Sequence, residues 1–254
     1  MRTDHAFDPP DKAALFRALE ATWPPRRAWS LGPVTLRDGG GGGKRVSAAT
    51  VKGHATETEI AQAEAAMEAK GDLPLFRLHD EDTDLDRRLE ARGYQVIDPT
   101  VFHAAPIDRL RRPDQAPLDA IASAARLGIH ADIWADGGIG PARLAIMDRA
   151  SEPKAWLLGR KDDRAAAAGF VSISDGIAMV HALETVPRFR RRGVARAMLA
   201  RAAKWGASHG AQVLALAVTA GNTPANALYA SLGMQRCGGY HYRIRTQTER
   251  PPAP

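Results

Sequence analysis

The sequence contains one strongly basic stretch, Val186-Pro187-Arg188-Phe189-Arg190-Arg191-Arg192-Gly193-Val194-Ala195. It follows a predicted strand at residues 177–186 and opens a predicted helix at residues 192–209. An Arg-x-x-Gly-x-Ala turn at a helix start leaves backbone N–H groups without helical partners, and its glycine lets an anion approach the main chain. The stretch therefore predicts a binding site for a pyrophosphate.

A second pattern follows about thirty residues later, at the next predicted strand-to-helix junction. It reads Asn-x-x-Ala-x-x-Leu-Tyr-x-x-x-Gly and runs from Asn222 to Gly233. In this order and at this separation, the two patterns resemble motifs A and B of the GNAT superfamily of acetyl-coenzyme A dependent N-acetyltransferases. The resemblance covers roughly residues 155–245. It implies an α/β protein with a mixed sheet, the GNAT acyl-CoA N-acyltransferase fold, and an enzyme that acetylates a primary amine.

The resemblance also implies which residues contact acetyl-CoA. In the family, the loop of the first motif holds the pyrophosphate of coenzyme A. The asparagine after the next strand contacts the cofactor, and the tyrosine lies near the sulfur. Carried over by position, the expected cofactor-binding residues are Thr185, Val186, Arg190, Arg191, Arg192, Gly193, Val194, Ala195, Asn222 and Tyr229. No metal site is expected.

The catalytic residues are sought around the same two motifs. Acetyl transfer from a thioester to an amine needs a base for the ammonium, a donor for the developing oxyanion and an acid for the thiolate. A phenol such as Tyr229, with an ordinary pKa of about 10, can serve as the acid. For the base, the strand before motif A offers His181 and Glu184, and a third alternative is that neither acts. Alternation predicts that His181, Leu183 and Thr185 share one face of this strand and that Glu184 lies on the other.

The charge distribution points to an anionic partner in the same region. The chain has a net charge of +6, yet residues 185–248 contain ten Lys or Arg and no Asp or Glu, so the rest carries −4. The uncompensated positive charge of this segment favours binding of an anionic ligand. Few aromatic residues accompany these charges, so a single anionic cofactor is favoured over nucleic acid. The alternative function is a coenzyme-A-binding or nucleic-acid-binding module without catalysis.

Domain organisation follows from length and from a faint repeat. The 254 residues suffice for two small domains, and the composition at residues 109–117 is typical of a linker, which predicts domains at 1–112 and 113–254. A shift of 140 residues places Thr50 to Ala55 on Arg190 to Ala195 and Gly93 on Gly233. The first half thus resembles a degenerate GNAT-like domain in a tandem pair. Residues 50–98 hold twelve acidic residues against six basic ones, which would repel a pyrophosphate.

Other features of the sequence narrow the chemistry. A lone cysteine, Cys237, rules out an internal disulfide, and no pattern around it suggests an acetyl-cysteine intermediate, so direct attack by the amine in a ternary complex is expected. No window of about 18 apolar residues is present, so a cytoplasmic protein without a membrane partner is expected. The acceptor is a small-molecule or peptide amine of unknown identity, and the oligomeric state is open. Asp132, Trp134 and Asp136 precede the strands of the second half and are candidates for acceptor contacts.

The remaining pattern predicts a series of helices and strands. Further helices are expected at residues 12–22, 56–70, 85–92 and 224–232. Further strands are expected at residues 29–37, 44–51, 73–78, 155–160, 166–174, 213–218 and 240–245.

Overall fold

A computed structural model describes residues 7–111 and 119–246 of the chain. The helices are α1 (Lys12–Thr22), α2 (Lys44–Ser47), α3 (Glu57–Glu68), α4 (Thr83–Ala91), α5 (Ile107–Leu110), α6 (Gly128–Asp136), α7 (Pro141–Arg149), α8 (Val194–Ser208) and α9 (Thr223–Ser231). The strands are β1 (Arg27–Leu31), β2 (Val34–Asp38), β3 (Thr50–Val51), β4 (Leu75–His79), β5 (Gln95–Pro106), β6 (Ala120–Ser123), β7 (Lys154–Lys161), β8 (Arg164–Ser174), β9 (Ile177–Thr185), β10 (Val213–Thr219) and β11 (Gln235–Ile244).

The elements form two compact units that are not continuous in sequence. The first, here called the site unit, comprises the described parts of Met1–Pro24, Val101–Val218 and Asn222–Cys237. The second, here called the companion unit, comprises the described parts of Pro25–Thr100, Thr219–Gly221 and Gly238–Pro254. Most of the predicted linker at 109–117 lies outside the described residues. The boundary between 1–112 and 113–254 therefore stays a prediction.

The sheet of the site unit is mixed, as the sequence predicted. Its strands lie in the order β5-β10-β9-β8-β7-β6. Strands β6 to β9 pair antiparallel, whereas β9 and β10 pair parallel. The parallel pairs run from Val213 opposite Ile177 to Leu216 opposite Val180 and end there, although β9 continues to Thr185. A gap between two neighbouring strands therefore begins after Val180.

Helices cover both faces of this sheet. The long helix α8 contacts β6 to β9, and its Met198 and Ala202 are fully buried against sheet residues such as Val171 and Leu214. Helices α1 and α6 contact β8 and β9. Burial of these apolar side chains supplies the main stabilisation of the site unit.

A β-bulge interrupts the pairing of β8 with β9 and changes which side chains share a face. His181 lies opposite Phe170 and Glu184 opposite Ala168, so two residues of β9 oppose one of β8. Ala182, inside the bulge, has a φ of 48°. The predicted strict alternation is therefore wrong here: His181 and Glu184 share a face, because the extra residue shifts the period of two by one position.

The companion unit repeats part of the site unit at the predicted offset of 140 residues. Helices α4 and α9 begin and end at positions that correspond under this shift. Gly53 and Gly193 precede a helix with φ values of 76° and 81°, and Gly93 and Gly233 follow one with φ values of 83° and 72°. These are conformations that glycine adopts without steric cost. The sequence repeat is therefore also a repeat of local structure.

Two predicted strands of the companion unit differ from the structure. The predicted strand at 29–37 is a hairpin, β1 and β2, because Gly32 (φ 56°) and Pro33 form a two-residue turn. The segment 44–51, also predicted as a strand, contains α2 and only the two-residue β3. Helix α1 has the predicted bounds, and its Asp11 accepts from the Ala14 N–H at 2.6 Å. In the described part of the chain, no helix combines the length and apolar character needed to span a membrane.

Candidate active site

The basic turn leaves the N-terminus of α8 open. A single turn of 3-10 helix, Pro187–Phe189, leads into it, and Arg191 (φ 61°) and Gly193 (φ 81°) both have left-handed backbone. Gly193 is the N-cap, so no side chain caps the helix, and the first helical bond runs from Ala197 N–H to the Gly193 carbonyl. The backbone N–H groups of the three preceding helical residues are thus left for another acceptor. A left-handed arginine carries backbone strain, which is typical of functional loops.

A cavity of about 800 Å³ lies at this helix start, in the site unit. Its walls come from the end of β9, the basic turn and α9. A cavity of this size is in the range of cofactor sites. It is lined by nine of the predicted site residues, which are Glu184, Thr185, Arg190, Arg191, Gly193, Val194, Ala195, Asn222 and Tyr229.

Tyr229 presents a protonated phenol to the cavity. It lies on α9, is 7% exposed, and burial raises the pKa of its hydroxyl to about 12. The hydroxyl therefore keeps its proton at neutral pH and can donate it. The ring of His103 lies 5.3 Å from the Tyr229 ring, centroid to centroid.

Glu184 is the carboxylate of the cavity. Its side chain is 23% exposed, and its Oε1 accepts from the Nη2 of Arg190 at 3.1 Å. The Nε of Arg190 donates to the carbonyl of Thr185, also at 3.1 Å. A carboxylate and a protonated phenol thus line one cavity, which is the pairing of base and acid that acyl transfer requires.

His181 lies elsewhere, although it was a candidate base. It is 3% exposed, and its Nε2 lies 2.8 Å from the Oγ1 of Thr22, which itself donates to the Ala18 carbonyl at 2.6 Å. Because the threonine proton is used in that bond, the imidazole Nε2 is the donor to Thr22. Trp23 packs on the imidazole at 4.9 Å between ring centroids.

Two predicted cofactor-binding residues also have other contacts. The Arg192 Nη2 lies 2.9 Å from an oxygen of Asp162, and the Val186 N–H donates to the Ala166 carbonyl. Neither is among the residues that line the cavity of the site unit, as far as the chain is described.

Asn222 and Cys237 have defined structural contacts. Asn222 is the N-cap of α9, where its Oδ1 accepts from the Ala225 N–H at 3.2 Å. The thiol of Cys237 is buried, and burial raises its pKa, so it stays protonated.

Sequence reasoning missed one residue that supports the site, His103, and gave another, Trp134, a different role. The buried His103 on β5 lies with its Nε2 2.9 Å from the Oδ1 of Asn226 on α9, and burial lowers the pKa of the imidazole. Trp134, proposed for the acceptor, is fully buried, and its indole N–H donates to the Ala182 carbonyl at 2.8 Å, which holds the bulge. Asp132 and Asp136 of the same helix are exposed. Pattern alone could not find the histidine, because its partner is 123 residues away.

Comparisons with known proteins bear on the family and on the fold. Residues 129–234 match the family model described as "Acetyltransferase (GNAT) family". Among solved structures, a GCN5-related N-acetyltransferase from Kribbella flavida has a TM-score of 0.69 at 19% identity, over 93% of this chain and 94% of that one. A GCN5-related N-acetyltransferase from Sphaerobacter thermophilus has a TM-score of 0.62 at 15% identity, over 85% and 82% of the two chains.

A tandem protein is also similar. The tandem GNAT protein from the clavulanic acid biosynthesis pathway has a TM-score of 0.57 at 12% identity, over 84% of this chain and 77% of that one. At these identities, the likeness to solved structures establishes the fold. No curated protein sequence matches the chain. The family match and the fold together identify residues 129–234 of this chain as a domain of the GNAT acetyltransferase family.

Proposed function

We propose that this protein is an N-acetyltransferase that takes acetyl-CoA as its donor and a primary amine as its acceptor. The observation that carries the proposal is the composition of one cavity. It combines the uncapped start of α8, the half-buried carboxylate of Glu184 and the protonated hydroxyl of Tyr229.

The residues at the start of α8 fit the diphosphate of coenzyme A. Orphan N–H groups and the positive end of the helix dipole both favour an anion there. Arg190, Arg191 and Arg196 line the same cavity and add positive charge. Gly193 has no side chain to keep phosphate oxygens from the backbone. Acetyl-CoA, when bound, would supply an activated acyl group as a thioester.

In the proposed mechanism, the amine attacks directly, in a ternary complex. Glu184 accepts a proton from the ammonium of the acceptor, and the neutral amine then attacks the acetyl carbonyl. Tyr229 donates its proton to the departing sulfur and regains one from the nitrogen, which releases its second proton as the amide forms. We assign the base to Glu184 and not to His181, because Glu184 lines the cavity whereas the His181 Nε2 is committed to Thr22. The buried thiol of Cys237 supports direct attack over an acetyl-cysteine step.

Binding and turnover test the proposal separately. Acetyl-CoA should raise the melting temperature, and a panel of amines, amino acids, aminoglycosides and peptides should include an acceptor that releases coenzyme A thiol. No thermal shift at millimolar acetyl-CoA would overturn the proposal. A shift without thiol release from any acceptor would favour a non-catalytic coenzyme-A-binding module.

Two substitutions test the catalytic roles. We expect Glu184→Gln to lower kcat about 100-fold and Tyr229→Phe to lower it about 30-fold, within the range for general acid–base groups. His181→Gln, which keeps a donor for Thr22, should leave kcat within about threefold of the wild type. A larger loss in His181→Gln than in Glu184→Gln would return the role of base to the histidine.

A further inference from the structure

Two parts of the site unit lie close to the Glu184 side chain. The Arg190 guanidinium donates to its carboxylate at 3.1 Å. The backbone of Gly137, just after α6, lies so near that an added Cβ would be 2.6 Å from the Glu184 Cγ and 2.9 Å from its Cδ. Real Cβ atoms do not approach carbon so closely. Gly137 is therefore the residue that leaves room for this position of the carboxylate.

Arg190 belongs both to this contact and to the anion-binding turn. It lies three residues before Gly193, its side chain is 58% exposed, and it lines the cavity together with the start of α8. A diphosphate at that helix start carries more negative charge than one carboxylate, and guanidinium binds phosphate oxygens in a bidentate manner. The two anions would therefore compete for the same guanidinium.

We propose that Arg190 is a latch on Glu184 that the diphosphate of the cofactor opens. The inference rests on the proposed function. Without cofactor, the guanidinium of Arg190 donates to Oε1 of the carboxylate and blocks the approach of an ammonium to that oxygen. When the diphosphate takes the guanidinium, Oε1 becomes accessible to the ammonium of the acceptor. Gly137 is then the positioning residue that lets the carboxylate stay in place after Arg190 has left it.

Binding of coenzyme A to Glu184→Gln tests the latch by calorimetry. The uncharged amide holds Arg190 less tightly, so the variant should bind coenzyme A about threefold more tightly than the wild type, the size expected for one part-exposed ion pair. Pantetheine, which has no diphosphate, should bind the two proteins equally. In an Arg190→Gln background, Glu184→Gln should change the affinity for coenzyme A by less than 1.5-fold.

The position of the carboxylate is tested through Gly137. Its φ of −86° suits any residue, so Gly137→Ala should fold, displace Glu184 and lower kcat about tenfold while the Kd for coenzyme A stays within twofold. Gly128→Ala is the matched control, because a Cβ at that position of the same helix meets nothing within 4 Å. It should leave both constants unchanged.

The outcomes separate the latch from the proposed function. Equal or weaker binding of coenzyme A by Glu184→Gln would overturn the latch, as would an equal gain for pantetheine. Normal turnover in Gly137→Ala would overturn the positioning role. If the wild type turns over acetyl-CoA but these shifts are missing, only the latch fails. If the wild type does not bind coenzyme A at all, the proposed function fails and the latch with it.

Discussion

Helices α3 and α8 both come after a left-handed glycine of the repeat, Gly53 or Gly193, but they begin differently. Gly193 is itself the N-cap of α8, whereas the N-cap of α3 is Thr56, three residues after Gly53. At α3, Thr56 and Glu59 form a capping box: the Thr56 N–H donates to the Glu59 carboxylate at 2.7 Å, and the Thr56 hydroxyl accepts from the Glu59 N–H at 3.3 Å. At α8 no side chain caps the helix.

The cap, more than the preceding glycine, determines whether a helix start keeps N–H donors for an anion. In the companion unit the Thr56 N–H already donates to the Glu59 carboxylate and the Glu59 N–H to the Thr56 hydroxyl, and the first turn carries Glu57 and Glu59. In the site unit the start of α8 lies at a cavity lined by arginines. One copy of the repeat thus has an acidic capping box at its helix start, whereas the other has an uncapped helix start that favours an anion.

An acidic residue on the first turn of α8 should give the largest effect. Arg196 is the third residue of α8, as Glu59 is of α3. We expect Arg196→Glu to weaken binding of coenzyme A about 30-fold, because the carboxylate repels the diphosphate near the helix start. Arg196→Gln is the control, since it loses the bond from Arg196 to the Ser231 hydroxyl without adding a negative charge. Calorimetry that gives one Kd for both variants would refute the argument.

Asp86, a carboxylate of the companion unit, stabilises the fold, whereas the Glu184 carboxylate of the site unit lines the cavity. Asp86 accepts from Arg243 at 2.7 Å and lies 2.8 Å from His241, and these partners lower its pKa to about 2. Because the folded pKa lies below the ordinary value, the stabilisation is present above about pH 4 and is lost as the pH falls towards 2. Asp86→Asn should lower the free energy of unfolding at pH 7 by about 1–1.5 kcal/mol, after allowance for solvent screening.

Acid titration of denaturant stability checks this prediction. Between pH 4 and pH 2 the wild type should lose more stability than Asp86→Asn. Parallel loss in the two proteins would mean that Asp86 does not carry the acid sensitivity. Binding of coenzyme A at pH 7 should be the same in both.

Alanine substitutions at Gly53 and Gly193 separate an effect on stability from an effect on coenzyme A binding. Gly193→Ala and Gly53→Ala each force a left-handed alanine, and each should lower stability by about 1 kcal/mol. Only Gly193→Ala should also weaken coenzyme A binding, by about fivefold, because the new Cβ is placed at the cavity wall. Equal affinity in the two variants would show that the diphosphate does not approach this glycine.

The smallest expected effect is removal of the cap in the companion unit. Thr56→Ala should lower the free energy of unfolding by about 0.5–1 kcal/mol, the usual value for an N-cap. Its thermal shift with acetyl-CoA should match that of the wild type. Thr58→Ala is the control, because Thr58 is the second residue of the same helix and its substitution keeps the Thr56 cap. A gain of coenzyme A binding in Thr56→Ala would show that the cap alone had closed a second site.

The sequence predicted those elements whose signals are local. Helix α1, the basic turn and the helix of motif B each carry their caps and glycines within a few residues, so their positions were found. Helices α6 and α7 were missed, because the glycines between them resemble a loop. The close approach of Gly137 to Glu184 was therefore not predicted either, because it depends on tertiary packing alone.

Nine of the predicted site residues line the cavity, but the arrangement of their side chains could not be predicted from the sequence. Residues of both motifs line one cavity, yet the face on which Glu184 lies depends on a bulge that no pattern displays. A Thr22 hydroxyl 159 residues away then engages the histidine. The pairing of Glu184 with Arg190 was also hidden, because charges close in sequence need not point towards each other.

The bulge at Ala182 determines which side chain of β9 reaches each face of the sheet. Deletion of Ala182 would restore regular pairing and leave His181, Leu183 and Glu184 on their present faces, because the bulge already supplies a shift of one residue. If β9 instead lost the bulge at constant length, Leu183, which now packs beside Gly169 and Met198, and Glu184 would exchange sides of the sheet. Straightening of this strand would thus move the carboxylate of the cavity to the other face while every reacting residue remained encoded. A relative of this chain that lacks the bulge at unchanged length could therefore keep the fold and lose the reaction.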